Sequence, residues 1–218
     1  ERRACWYATE LESPDREKTD RVYLEFDGIN AVATVYLNGN KVGYHEGGYS
    51  RFRVDVTEFL KEEENLLAVC VDNSEKSNVY PQTADFTFYG GIYRDVNVIV
   101  VPETHFQLDY WGADGLAVVA KTDGSVALHA YVTDAQEGDS VQFEIKDAED
   151  KTVAEAFTKA KPDTEMMLVI PDVHLWQGIE DPYLYHVAAR IVRHNEVVDE
   201  VCVRFGVSFM WIRKKAFS

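Results

Sequence analysis

The sequence predicts an all-β protein built as two antiparallel β-sandwiches in series. Apolar and polar residues alternate with period two along most of the chain, turn formers separate these stretches at short intervals, and no long amphipathic helix is visible. A length of 218 residues suits two domains of about 100 residues each.

Trp6 and Tyr7 already stand in strand-like sequence. Val22, Leu24 and Phe26 then point one way while Tyr23, Glu25 and Asp27 point the other, the pattern of a half-buried strand. "TVYL" and "KVGY" flank "NGN", where Asn38 and Gly39 suit the left-handed angles of a type I′ hairpin turn. Phe52, Val54 and Val56 repeat the alternation against Arg51, Arg53 and Asp55. "DVTEFLKEEEN" reads as a short helical turn capped by Asp55 or Thr57 and ended by Asn65, after which "LLAVCVDN" resumes as a buried strand. The apolar strand "DVNVIVV" closes this first series.

Pro102 opens a second series: "GLAVVAKT", "VALHAYV", "VQFEIKD", "TVAEAF", "EMMLVI", "YLYHVAARIV" and "VVDEVCVRFG". Asp123-Gly124, Gly138-Asp139 and Pro162-Asp163 are among the separators. Seven short strands in about 100 residues is the count of an immunoglobulin-like sandwich, here without the cysteine pair of antibody domains. The predicted domains are therefore 1–101 and 102–218.

The formal charge of −16 is spread evenly, with 11 Lys/Arg against 18 Asp/Glu up to residue 101 and 11 against 20 beyond it. Nucleic acid and anionic membranes need a clustered basic surface, so neither is expected as a partner. No apolar run approaches the length of a membrane span. Cys5, Cys70 and Cys202 are odd in number and far apart, and read as buried free thiols. The chain starts without Met and without a signal pattern, and apolar residues still arrive at its end, so both ends look cut. Localisation, whether bacterial cytoplasm or cell exterior, is not readable from it.

The six histidines lack HxH or HExxH spacing and no Cys/His cluster accompanies them, so no metal site is expected. His129 and His186 lie within strands and read as packing or surface residues. GxSxG, P-loop and dinucleotide glycine patterns are missing from the sequence, and with them any cue to a cofactor. A glycosidase needs two carboxylates flanking the scissile bond. Glu62, Glu63 and Glu64 read instead as a solvated face, and Glu180-Asp181 as turn chemistry before Pro182, so no catalytic residue is assigned.

One stretch stands apart. "DFTFYGGIYRDV", residues 85–96, puts Asp85 among Tyr80, Phe86, Phe88, Tyr89 and Tyr93, with Gly90 and Gly91 permitting a sharp bend before Ile92. Aromatic faces and a charged acceptor together recognise sugars. The competing reading is that Phe88 and Tyr93 fill the core and Asp85 makes a turn hydrogen bond.

"FDGINAVATVYLNGNKVGYHEGGYSRFRVDVTEFLKEEENLLAVCVDN" followed by "DFTFYGGIYRDV" resembles the N-terminal jelly-roll domain of family 2 glycoside hydrolases, the β-galactosidase and β-glucuronidase group. "LWQGIEDPYLYHVAARIV" and "VRFG" are similar to the immunoglobulin-like domain that follows there. The resemblance implies a third domain, a (β/α)8 barrel that holds both catalytic glutamates, and this chain stops at Ser218 before any barrel. It also implies that Asp85, the substrate-binding candidate, reaches into the barrel's pocket for a β-galactoside-type carbohydrate. The chain then reads as a non-catalytic fragment of a retaining β-galactosidase-like enzyme. A self-sufficient carbohydrate-binding module, or a piece of a β-glucuronidase or β-mannosidase, is the competing reading. Apolar surface that a barrel would cover, including the tail "FMWI", makes a homo-oligomer a further expectation.

Overall fold

The computed structural model describes residues 2–74, 79, 85 and 88–209. It forms two compact units: Glu1–Glu103 with Leu108–Ala113, and Thr104–Gln107 with Asp114–Ser218. The chain thus enters the second unit at Thr104, returns to the first at Leu108 and leaves it at Asp114.

The first unit comprises β1 (Ala4–Leu11), β2 (Arg21–Phe26), β3 (Ile29–Asn30), β4 (Val32–Leu37), β5 (Asn40–Glu46), β6 (Phe52–Asp55), β7 (Asn65–Asp72), β8 (Gly91–Ile92) and β9 (Val96–Val101). Sheets β1-β7-β4-β5 and β6-β2-β9 enclose the core, and β3 pairs with β8. Every pairing is antiparallel. Val22, Leu24 and Phe26 face Val35, Leu37, Leu67, Val69 and Val71 in one apolar cluster. Each such side chain removed from water contributes on the order of 1.5–3 kcal/mol.

The second unit adds β10 (His105–Phe106), β11 (Leu116–Ala120), β12 (Ser125–Thr133), β13 (Ser140–Lys146), β14 (Thr152–Lys159), β15 (Asp163–Val169), β16 (Tyr185–Arg193) and β17 (Glu196–Phe205). In one sheet β12 carries β15, β11 and β10, and the other runs β14-β13-β16-β17. Val126, Leu128 and Ala130 from the first meet Phe143, Ile145, Val187, Ala189 and Ile191 from the second. The all-β, two-sandwich expectation holds.

Several local expectations change. β2 is buried on both faces, not one, because Glu25 pairs with Arg53 at 2.7 Å and the Arg53 side chain is only 3% exposed. Arg53 Nη1 donates to the carbonyls of Leu108 and Ala113, so the returning segment covers this pair. The helical turn shrinks to a 3₁₀ turn, Thr57–Phe59, where Asp55 accepts from the backbone N–H and hydroxyl of Thr57 without acting as a helix N-cap. Asn65 does not end that turn but opens β7: buried, it accepts from Lys61 N and donates to the Ser13 hydroxyl. All three cysteines are free as expected, yet Cys5 and Cys202 are exposed and Cys70 is half-buried. Cys5 lies on β1, an edge strand exposed on both faces, and Cys202 points outward from β17.

Candidate functional site

The segment singled out in the sequence joins the sheets of the first unit through the shortest of that unit's ladders. Ile29 pairs with Ile92 and Asn30 with Gly91. Asn30 Nδ2 also donates to the Tyr89 carbonyl at 2.7 Å, which fixes the approach to β8. The two glycines serve different ends. Gly91 has φ +97, an angle that favours glycine, and a Cβ there would lie 2.3 Å from the Tyr7 hydroxyl oxygen, so Tyr7 would have to move. A Cβ on Gly90 would stand 2.1 Å from Asn73 Nδ2 and would displace that side chain.

Beyond Ile92 the chain leaves the sheet for three residues. Tyr93 does not fill the core. Its hydroxyl donates to the Gly48 carbonyl at 2.5 Å, its ring meets Tyr49 edge-on at 6.4 Å, and the Arg94 guanidinium lies 5.5 Å from the ring centre. The accepting turn is itself held from below: the His45 ring stacks on Phe52 at 4.2 Å and hydrogen-bonds the Ser50 hydroxyl at 3.1 Å. Burial pushes the His45 pKa below its ordinary value, which favours the neutral ring against Phe52. Ile92 packs against the core cluster, whereas Val96 is 40% exposed and lines an apolar cleft of about 450 Å³ with Tyr7, Phe26, Leu67 and Val69.

Tyr89 (74% exposed) and Tyr93 are exposed on the chain that follows Asp85, and the exposed Tyr49 meets Tyr93 from the loop between β5 and β6. Asp85 itself is exposed and Phe88 half-buried, while Tyr80 and Phe86 lie outside the described residues. The tail residues Met210, Trp211 and Ile212 also lie outside them. Tyr49 and the Gly48 carbonyl escaped the sequence reading because "GGYS" is separated from "GIYR" by 40 residues, and the hydrogen bond and ring contact of Tyr93 bring them together only in the fold.

Elsewhere several carboxylates, among them Asp181, Glu144 and Asp199, are committed to the fold. Glu62, Glu63 and Glu64 are exposed. Asp181 bonds His174 Nε2 at 2.6 Å and accepts from Gln177 through its carbonyl, a turn role. Glu144 takes hydrogen bonds from Thr152 and Arg190, which hold its carboxyl below the usual range. Asp199 is pushed up by burial, yet it caps the backbone N–H groups of Phe106 and Glu200. Among the described residues one group could hold a metal ion: His129, Asp163 and Glu165.

An antiparallel sandwich that presents a carboxylate on an aromatic-bearing loop, followed by a second sandwich, has the build of accessory β-domains from a carbohydrate-active enzyme. Comparison with known families agrees. Residues 1–102 match the model for "Glycosyl hydrolases family 2, sugar binding domain" and residues 116–207 match a second model, "Glycosyl hydrolases family 2". The chain belongs to glycosyl hydrolase family 2.

Relatives include a β-glucuronidase of Bacteroides fragilis, 30% identical over 88% of this chain and 29% of its own length. A β-galactosidase of Thermoanaerobacter pseudethanolicus is 31% identical over 93% of this chain and 28% of its own. Among solved structures, the FMN-binding β-glucuronidase from Facaelibacterium prausnitzii L2-6 superposes with a TM-score of 0.86 at 37% identity, covering 94% of this chain and 32% of that one. The chain thus spans 28–32% of the length of the relatives named here.

Proposed function

We propose that this chain is the supporting region of a retaining family 2 glycosidase, and that its first unit lends Asp85 to a sugar pocket built by a catalytic barrel. The observation that carries the reading is the placement of Asp85: exposed, six positions ahead of a Gly91 whose angle and lack of room set the return of the chain into β8. The chain that follows Asp85 is tied to the sandwich by Asn30 at the Tyr89 carbonyl and by Tyr93 at the Gly48 carbonyl, which supports a carboxylate placed to accept a sugar hydroxyl. A β-galactoside is the substrate class we assign. The relatives named above comprise both β-galactosidases and β-glucuronidases, so a glucuronide is the alternative the test must separate.

The test is Asp85→Ala in the full-length enzyme. A hydrogen bond to an ionised acceptor contributes roughly 1.5–3 kcal/mol, so kcat/KM on an aryl β-galactoside should fall about 10- to 150-fold with an unchanged melting temperature. Unchanged catalysis with a large loss of stability would make Asp85 a turn residue only. Running the same pair with an aryl β-glucuronide identifies the sugar. Saturable galactoside binding by the 218-residue chain alone would favour the self-sufficient binding module.

A further inference from the structure

On the outer face of the second unit, β12 and β15 bring together three side chains that no local motif joins. The register pairs His129 with Glu165 and Tyr131 with Asp163, and Val126, Leu128 and Ala130 take the inner face, so all three polar residues project outward. His129 Nδ1 lies 3.5 Å from Asp163 Oδ1 and 3.8 Å from Glu165 Oε1, and the three ligand atoms all fall within 4.8 Å of one another. Two protein ligands about 2.0–2.2 Å from one tetrahedral ion stand roughly 3.3–3.6 Å apart, so both nitrogen–oxygen separations are near the coordinating value before any ion arrives. Neither carboxylate has a lysine or arginine partner among the described residues: both converge on a single imidazole. In a chain of net charge −16 that arrangement leaves negative charge a dication would neutralise.

We propose that His129, Asp163 and Glu165 form a surface site for a divalent first-row transition ion, bound by one imidazole nitrogen and two carboxylate oxygens with water completing the shell. The imidazole sets the class of ion: nitrogen with carboxylate suits zinc, cobalt or nickel, whereas magnesium and calcium take oxygen ligands. Bound there, the ion would clamp β12 to β15 across two rungs of the ladder. Its ligands do not include Asp85.

Calorimetric titration of the 218-residue chain with Zn²⁺ tests it, with Co²⁺ absorption reporting the ligand field. One saturable site and a melting temperature that rises with Zn²⁺ are expected. His129→Ala should weaken binding by at least about 10- to 100-fold, since even loss of an outer-shell partner costs that much. Glu165→Gln, which preserves shape on an exposed strand position, should weaken it likewise. His174→Ala and the pair Cys5→Ser, Cys202→Ser should leave it intact. Absence of saturable binding, equal binding of Mg²⁺, indifference to His129→Ala and Glu165→Gln, or loss on removing His174 or the exposed cysteines would each overturn the proposal.

Discussion

Asp139 is fully buried, and Arg193 grips it with Nε at 2.7 Å and Nη2 at 2.8 Å while the same Nη2 reaches the Thr104 hydroxyl at 2.8 Å. Thr104 passes the link on to the Asp134 carbonyl, so one guanidinium fixes the entry of the chain into the second unit. Removing one partner strands the other, which costs more than the pair contributes. With Arg193 only about a quarter exposed, Asp139→Ala should destabilise the second unit by about 3 kcal/mol, read by denaturant titration. The hydrogen bonds from Arg193 hold the Asp139 carboxyl below its usual range. The sign follows from that depression: the unfolded chain takes up the proton first, so the contribution is present above the unfolded carboxyl value, about 3.9, and is lost as pH falls through the lower folded one. Acid titration of the wild type should therefore show a loss that Asp139→Ala lacks.

The hairpin of β4 and β5 shows what a strand pattern reveals. Asn38 and Gly39 were expected to form a type I′ turn, and they adopt φ +53 and +82 with Leu37 paired to Asn40. A Cβ on Gly39 would meet nothing within 4 Å, so Gly39→Ala has only the left-handed backbone cost of about 1–2 kcal/mol. A melting-temperature drop of that size, with Asn40→Ala as a milder control, checks it. Turn chemistry is local, and alternation is local, so both were legible. The second buried face of β2 was not, because what covers Glu25 and Arg53 arrives from Leu108 and Ala113, more than fifty residues downstream of Arg53. His129 and Glu165 are likewise 36 positions apart in the chain and meet only through the register of β12 on β15. The pattern of alternate aromatics favours the core for Tyr93, yet the Gly48 carbonyl claims its hydroxyl.

At the scale of the whole chain the question is whether these 218 residues can hydrolyse a glycoside. Retaining hydrolysis needs one carboxylic acid kept protonated near neutral pH and a second, ionised carboxylate about 5–5.5 Å away across the bond. The raised carboxyl among the described residues that burial produces is Asp199, and it is spent on the backbone of Phe106 and Glu200. The depression on the outer face of β13, β16 and β17 does gather Glu144, Asp150 and Glu200, but Arg190 bonds both glutamates and Glu144 is pushed toward its ionised form, the wrong direction for an acid. Asp85 is exposed, and the arginine-paired carboxylates of the second unit lie on another sandwich. The purified 218-residue chain should therefore show no release of nitrophenol from aryl β-galactosides or β-glucuronides above buffer, and adding the Asp85→Ala change should alter nothing. Turnover that survives repeated purification, and that falls in Glu144→Gln or Glu200→Gln, would place the chemistry in the second unit and overturn the division of labour argued here.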